Sequence, residues 1–231
     1  MLHKLKSPLA VIFVTLLLDK LGENIVYPLL PFILAAYSPD GLTLGLLAAT
    51  ATLFSVVATP LIGTLSDSFG RRRVILSCIA INAFSLLLFG FAGSLSLIFL
   101  SRAINGVATA TVGTAQAYIS DISTPATRAR NFGISGAAFG LGAIAGPAMG
   151  GGLVGLGIHV PLFAAAGLSF VNFLMALFYL HESLPRERRV PFNLSGLNIF
   201  AQLQLLLKRP GVNRLALSFA CFNFALSLIH I

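Results

Sequence analysis

Four ionisable residues, Asp19, Lys20, Glu23 and Arg102, stand inside runs of otherwise apolar sequence. Each costs at least about 2.5–3.5 kcal/mol at the centre of a membrane helix, so such residues face a cavity and find partners. Their spacing defines the chemistry open to them. Asp19 and Glu23 are one helical turn apart on one face, and Lys20 sits about 100° round from Asp19 within reach of Glu23. Asp19 lies roughly 15 Å along an outward-running helix. Arg102 lies roughly 11 Å along an inward-running one. In a hydrocarbon core about 30 Å thick the two share a level, so an Asp19–Arg102 pair is allowed. A carboxylate beside an arginine at that depth can take up and release a proton as its neighbours change. Equally, the pair could neutralise itself and hold two helices together. Asn24, Asn82, Asn105, Gln116 and Asn172 are uncharged polar residues of the kind that hydrogen-bond between helices.

The elements that must position these groups are membrane helices. Of 231 residues, 57% are hydrophobic and 10% charged, and the mean hydropathy is +0.93. Soluble domains carry about 25% charged residues, so an ordinary soluble enzyme and a disordered tail are both excluded. Apolar stretches long enough to cross a bilayer fall at about 9–34, 42–62, 74–93, 95–120, 132–155 and 160–180, and a seventh begins at 215–231. The first continues past Asp19 to Ile33 without a small-residue cleavage site, so it is a helix and not a signal peptide.

Thirteen of the fifteen Lys and Arg lie at the N-terminus, after helix 2 (Arg71, Arg72, Arg73), after helix 4 (Arg128, Arg130) or after helix 6. The alternate connections hold none. By the positive-inside rule the N-terminus is expected in the cytoplasm of a multi-pass protein in an inner or plasma membrane. The net charge of +8 is then a matter of topology and lipid headgroups, and no nucleic-acid partner is expected. Cys78 and Cys221 lie in apolar runs, and no Cys/His cluster has metal-ligand spacing, so neither metal nor cofactor is expected. The chain divides into a six-helix bundle (1–180), a linker (181–214) with an amphipathic patch at 197–207, and the seventh helix (215–231).

Between helices 2 and 3 stands Gly63-Thr-Leu-Ser-Asp67-Ser-Phe-Gly70-Arg71-Arg72-Arg73. Here Gly63 would allow close helix approach, and Asp67 would cap a neighbouring helix and offset the arginines. Gly70 would make the turn, and the arginines would grip headgroups. This string resembles the loop signature of the major facilitator superfamily, with Ser68 where a basic residue is usual. Arg102-Ala-Ile-Asn105-Gly106-Val-Ala-Thr-Ala110 resembles the helix-4 motif of that superfamily, with Asn105 in place of Gln and Ala108 in place of Gly. Its proton-linked arginine falls on Arg102. Asp19-Lys-Leu-Gly22 followed by Pro28 and Pro31 is similar to helix 1 of tetracycline-type efflux pumps, where the Asp belongs to the transport path. Helix 5 carries Gly133, Gly142, Gly146, Pro147, Gly150 and Gly151 at the spacing of the drug–proton antiporters. Such a ridge packs close and kinks, and the resemblance implies that it seals the cavity against ion leak.

The resemblance implies an all-α membrane protein: the N-terminal six-helix half, built of 3+3 inverted repeats, of a twelve-helix fold with part of helix 7. The chain is then expected to need a C-terminal half to transport. The function implied is secondary active, proton-coupled efflux of a small amphipathic molecule or drug by alternating access, not enzymatic, with protons, the substrate and membrane lipid as partners. Asp19, Arg102 and Glu23 would couple protons. Alternatives remain. A superfamily member could carry a sugar, amine or metabolite, and a half-molecule could modulate a full-length partner. Gly133-Ile-Ser135-Gly136 also matches the short nucleophile motif of rhomboid-type intramembrane proteases, with His181 on the same side as a candidate base and His159 at the opposite one.

Overall fold

A computed structural model of the chain describes residues 7–37, 40–192, 212–214, 218 and 221. Among them there is α-helix and 3-10 turn and no strand. Span 1 is α1 (Pro8–Val26), a 3-10 turn (Tyr27–Leu29) and α2 (Leu30–Ala35). Span 2 is α3 (Gly41–Phe69) and span 3 is α4 (Arg71–Gly90). Span 4 is split into α5 (Leu95–Ala108) and α6 (Thr111–Asp121). Spans 5 and 6 are α7 (Arg128–Val154) and α8 (Val160–Tyr179). Spans 2 to 6 are each long and apolar enough to cross a bilayer. The chain is an integral, multi-pass membrane protein.

Local chemistry accounts for the ends. Pro8 and Pro161 sit in first turns, where no N–H is needed. Asp40 caps α3 by accepting from the Thr43 N–H at 2.9 Å and the Thr43 hydroxyl at 2.5 Å. Those bonds hold the exposed Asp40 carboxyl below its ordinary range. Ser94 caps α5 through the Leu97 N–H at 3.4 Å. Pro28 and Pro31 withhold two helix donors, and span 1 tightens to a 3-10 turn there. Span 2 runs seven residues past the expected end. In its polar tail the Thr64 and Ser68 hydroxyls are satisfied within the helix, donating back to the carbonyls of Leu61 and Thr64 at 2.8 and 3.0 Å.

The helices pack with the symmetry of an inverted repeat. The most extensive pairings are span 1 with spans 5 and 6, span 4 with spans 2 and 3, and span 3 with span 6. Exchanging spans 1–3 for 4–6 maps each pairing onto another or onto itself. Small residues make the two equivalent contacts close. A Cβ on Gly142, Gly146 or Gly150 would lie 2.5–2.7 Å from Lys20, Asn24 or Ile25 of α1, and one on Gly106 of α5 would lie 2.3 Å from the Ala51 carbonyl of α3.

The buried apolar side chains form two main clusters. One gathers Ile25, Leu34, Leu47, Phe89, Ile98 and Leu162. The other gathers Ile12, Leu16, Ile75, Ile79, Tyr118 and Leu180. On spans 1, 3, 4 and 6 the residues between the clusters are polar and buried: Asp19, Asn82, Arg102 with Asn105, and Ser169 with Asn172. A polar layer at mid-depth thus separates two apolar ones. Residues 197–207 and most of 215–231, the expected amphipathic patch and seventh helix, lie outside the described residues.

Candidate functional site

The polar layer brings together residues from four spans. Asp19 is 6% exposed and Arg102 3%. Asn82 of α4 sits at the centre. Its amide donates to Asp19 Oδ1 at 3.1 Å and to Ser169 Oγ at 3.3 Å, and its Oδ1 accepts from Asn105 Nδ2 at 2.9 Å. Lys20 and Glu23 form an ion pair within α1, and Lys20 Nζ lies 5.7 Å from the Phe139 ring centroid. Asp19, Glu23, Asn82 and Asn105 line a gap too small for a water molecule. Glu23, Asn105 and Thr109 also border a wider cavity of about 250 Å³ with Tyr27, Ala51 and Ser55.

Asp19 and Arg102, though at matching depth, do not form an ion pair with each other. Arg102 instead lies 5.3 Å from the Tyr27 ring centroid, within cation–π range. Its Nε and Nη2 are buried with no hydrogen-bond partner, as is Asn105 Oδ1. An orphaned guanidinium at mid-depth is a costly arrangement that structural packing alone does not favour. Span 4 breaks further along, at Thr109–Ala110, where the Thr109 hydroxyl donates to the Gly106 carbonyl at 2.7 Å and pairs with Ser55 Oγ at 2.9 Å. Tyr27 was not singled out from sequence, although its place one turn beyond Glu23 puts it on the same face.

At the other candidate region, around residues 63–73, Gly70 has φ 101° and joins α3 to α4. Arg71 bonds Asp67 at 2.6 Å and Asp121 of α6 at 3.2 Å. Two expectations fail here. Among the described residues nothing lies within 4 Å of a Cβ placed on Gly63, so none of their helices packs closely on it. The acid that caps α4 is Glu182, whose Oε1 accepts from the Arg71 N–H at 2.9 Å; Asp67 is held by Arg71. Arg72 returns the favour, donating to the carbonyls of Leu180 and Leu177 at 2.6 and 2.7 Å, and so caps the end of α8. Arg73 makes no ion pair among the described residues.

Of the helix-5 residues, Gly142, Gly146 and Gly150 face α1, whereas nothing lies within 4 Å of a Cβ on Gly133 or Gly151. Pro147 is accommodated inside α7. Gly22 packs on α8, its Cβ position 3.5 Å from the Ala165 carbonyl. Ser135 donates its hydroxyl to the Phe132 carbonyl at 2.7 Å, inside its own helix. No histidine activates it among the described residues, so the nucleophile reading loses its geometry.

The family model of the Major Facilitator Superfamily matches residues 12–231. The chain belongs to the Major Facilitator Superfamily. Its six spans and their inverted-repeat packing are those of one half of the superfamily's twelve-helix fold. The tetracycline resistance protein, class C, of Escherichia coli is 36% identical over 198 residues, 84% of this chain and 50% of that protein. Multidrug resistance protein 2 of Bacillus subtilis is 33% identical over 170 residues, 73% of this chain and 42% of that protein. The crystal structure of the human organic anion transporter MFSD10 (TETRAN) superposes with a TM-score of 0.70 at 28% identity, covering 79% of this chain and 49% of that one. The chain spans about half the length of the curated relatives it matches.

Proposed function

We propose that this superfamily chain forms one wall of a secondary active transporter that exports a small amphipathic molecule in exchange for protons, by alternating access. A second six-helix half supplies the opposite wall, with the basic end, and so the N-terminus, in the cytoplasm of an inner or plasma membrane. The observation that carries the reading is the buried, mutually unpaired Asp19 and Arg102 in a polar layer that joins four spans. The resistance proteins among the relatives support a drug as the exported molecule.

In this reading Asp19 takes up and releases the proton, held in place by Asn82 while its charge changes. Arg102 responds to that charge from a position free of any permanent carboxylate. It turns toward Asp19 when the acid is ionised and toward the Tyr27 ring or a substrate when it is neutral. Glu23 extends the polar path from the tight gap to the wider cavity. The α1–α7 seam, closed by Gly142, Gly146 and Gly150 with Pro147, excludes ions, and the 63–73 segment latches the spans at the basic end. Residues 1–180 are the working bundle, and 181–214 links it to the seventh helix.

The test is transport of a fluorescent amphipathic probe into everted vesicles carrying the protein with its second half. An imposed proton gradient should drive accumulation in the parent and not in Asp19→Asn, with equal amounts of protein in the membrane. Gradient-driven accumulation that survives Asp19→Asn refutes the assignment.

A further inference from the structure

The segment after α8 folds against the start of α4 and encloses a cleft of about 400 Å³ lined by Arg72, Arg73, Glu182, Pro185, Arg186 and Arg189. Its charge is unbalanced. Four arginines line the cleft beside one carboxylate; Arg72 is committed to the last carbonyls of α8, and the carboxylate is already engaged. Its Oε1 accepts from the N–H groups of Arg71 and Leu184 at 2.9 and 3.2 Å, and its Oε2 meets Arg189 at 3.6 Å. Arg73 and Arg186 make no ion pair among the described residues. Arg189 Nε is buried with no hydrogen-bond partner. A cleft with surplus planar donors and a buried orphan N–H is matched chemically by a phosphate oxyanion.

Arg73 also borders a second space, an apolar groove of about 440 Å³. Leu61, Leu65, Phe69, Val74, Ser77 and Cys78 line it along α3 and α4. The groove runs from the arginine into the membrane-spanning part of both helices. An anion cleft and an apolar furrow that share one side chain, at the end of a span, make an amphipathic site.

We infer that cleft and groove together bind one anionic phospholipid. Its phosphate is held by Arg73, Arg186 and Arg189, and an acyl chain lies in the α3–α4 groove. A free phosphate would fill the cleft and leave the groove uncovered. A lipid satisfies both halves from the position where headgroups already sit. Because the cleft is walled by the segment after α8 as well as by α4, the bound lipid ties that segment to the bundle.

Native mass spectrometry of the purified chain titrated with phosphatidylglycerol tests this. One lipid should be retained per chain, in preference to phosphatidylcholine, and retention should fall roughly tenfold or more in Arg186→Gln/Arg189→Gln. Arg128→Gln/Arg130→Gln, an equal charge loss elsewhere, should leave retention unchanged, and Ser77→Phe, which fills the groove without touching charge, should weaken it. Both arginine variants losing lipid equally would mean diffuse attraction and overturn the site. So would retention unaffected by Ser77→Phe, or full competition by glycerol 3-phosphate, which carries the headgroup chemistry without a chain. Thermal unfolding of each variant guards against misfolding: a variant that unfolds before titration is replaced by Arg186→Lys/Arg189→Lys, which keeps the charge, loses the planar donors and is expected to retain less lipid. Parental retention in that variant overturns the phosphate geometry.

Discussion

Arginine meets carboxylate in two regions of this molecule, with opposite outcomes. At the basic end the charges that join the spans are matched: Arg71 by Asp67 and Asp121, Glu182 by two backbone N–H groups and Arg189, Arg72 by the last carbonyls of α8, although Arg189 keeps one buried N–H without a partner. At mid-depth Asp19 has a neutral amide as its hydrogen-bond partner, and Arg102 has two donors with none. Where desolvation is small, at the membrane surface, charges are used to tie helices. Where it is large, Lys20 and Glu23 pair within α1, but Asp19 and Arg102 are left without ionic partners, the arrangement that suits a moving proton or a charged substrate.

The comparison breaks most visibly in transport. Asp19→Asn should reduce proton-driven flux on the order of a hundredfold, the lower end of what a positioned proton-transfer group contributes, while Glu182→Gln should leave the coupling intact. Equal losses in both variants would erase the distinction between the regions.

Stability should show the reverse order. Glu182→Ala removes the cap of α4 and the partner of Arg189, and should cost about 1–2 kcal/mol in unfolding measured in lipid–detergent micelles. Arg102→Met removes a charge that has no ionic partner, and should be neutral within about 1 kcal/mol or stabilising. A large loss of stability in Arg102→Met would mean that the arginine holds the fold together.

Two glycines of one motif sharpen the contrast further. Gly70→Ala should cost about 1–2 kcal/mol, since φ is 101° and a Cβ there would lie 2.3 Å from Glu182. Gly63→Ala should gain up to about 1 kcal/mol from helix propensity, because its surroundings are open.

These positions also show how far the sequence could be read. The spans were legible because apolar length is a local property, and the matching levels of Asp19 and Arg102 followed from helical rise alone. The partners were not. Whether Asp67 or Glu182 caps α4 depends on a segment more than a hundred residues downstream that returns to the loop. Whether Arg102 turns to Asp19 or to Tyr27 depends on side-chain packing between spans 1 and 4. Nothing in the string Thr109–Ala110 announces a break in span 4, since neither residue interrupts a helix by propensity. Gly63 and Gly146 look alike in a motif and differ only in what stands opposite.

The smallest effect lies outside the membrane. The Thr43 bonds depress the Asp40 carboxyl, so the support they lend α3 is present above the ordinary carboxylate range and is lost as pH falls through the depressed value. Thr43→Val, which keeps the capping N–H and removes the hydroxyl, should move the Asp40 titration part of the way back toward its ordinary position in an NMR pH series, and an unmoved titration would show that the hydroxyl bond is not formed.

Infrared titration of the chain in lipid vesicles reads out whether Asp19 is the carboxyl that exchanges its proton. A protonated-carboxyl band should rise and fall with pH, vanish in Asp19→Asn and persist in Glu182→Gln. A band that survives Asp19→Asn unchanged would mean that another carboxyl carries the proton.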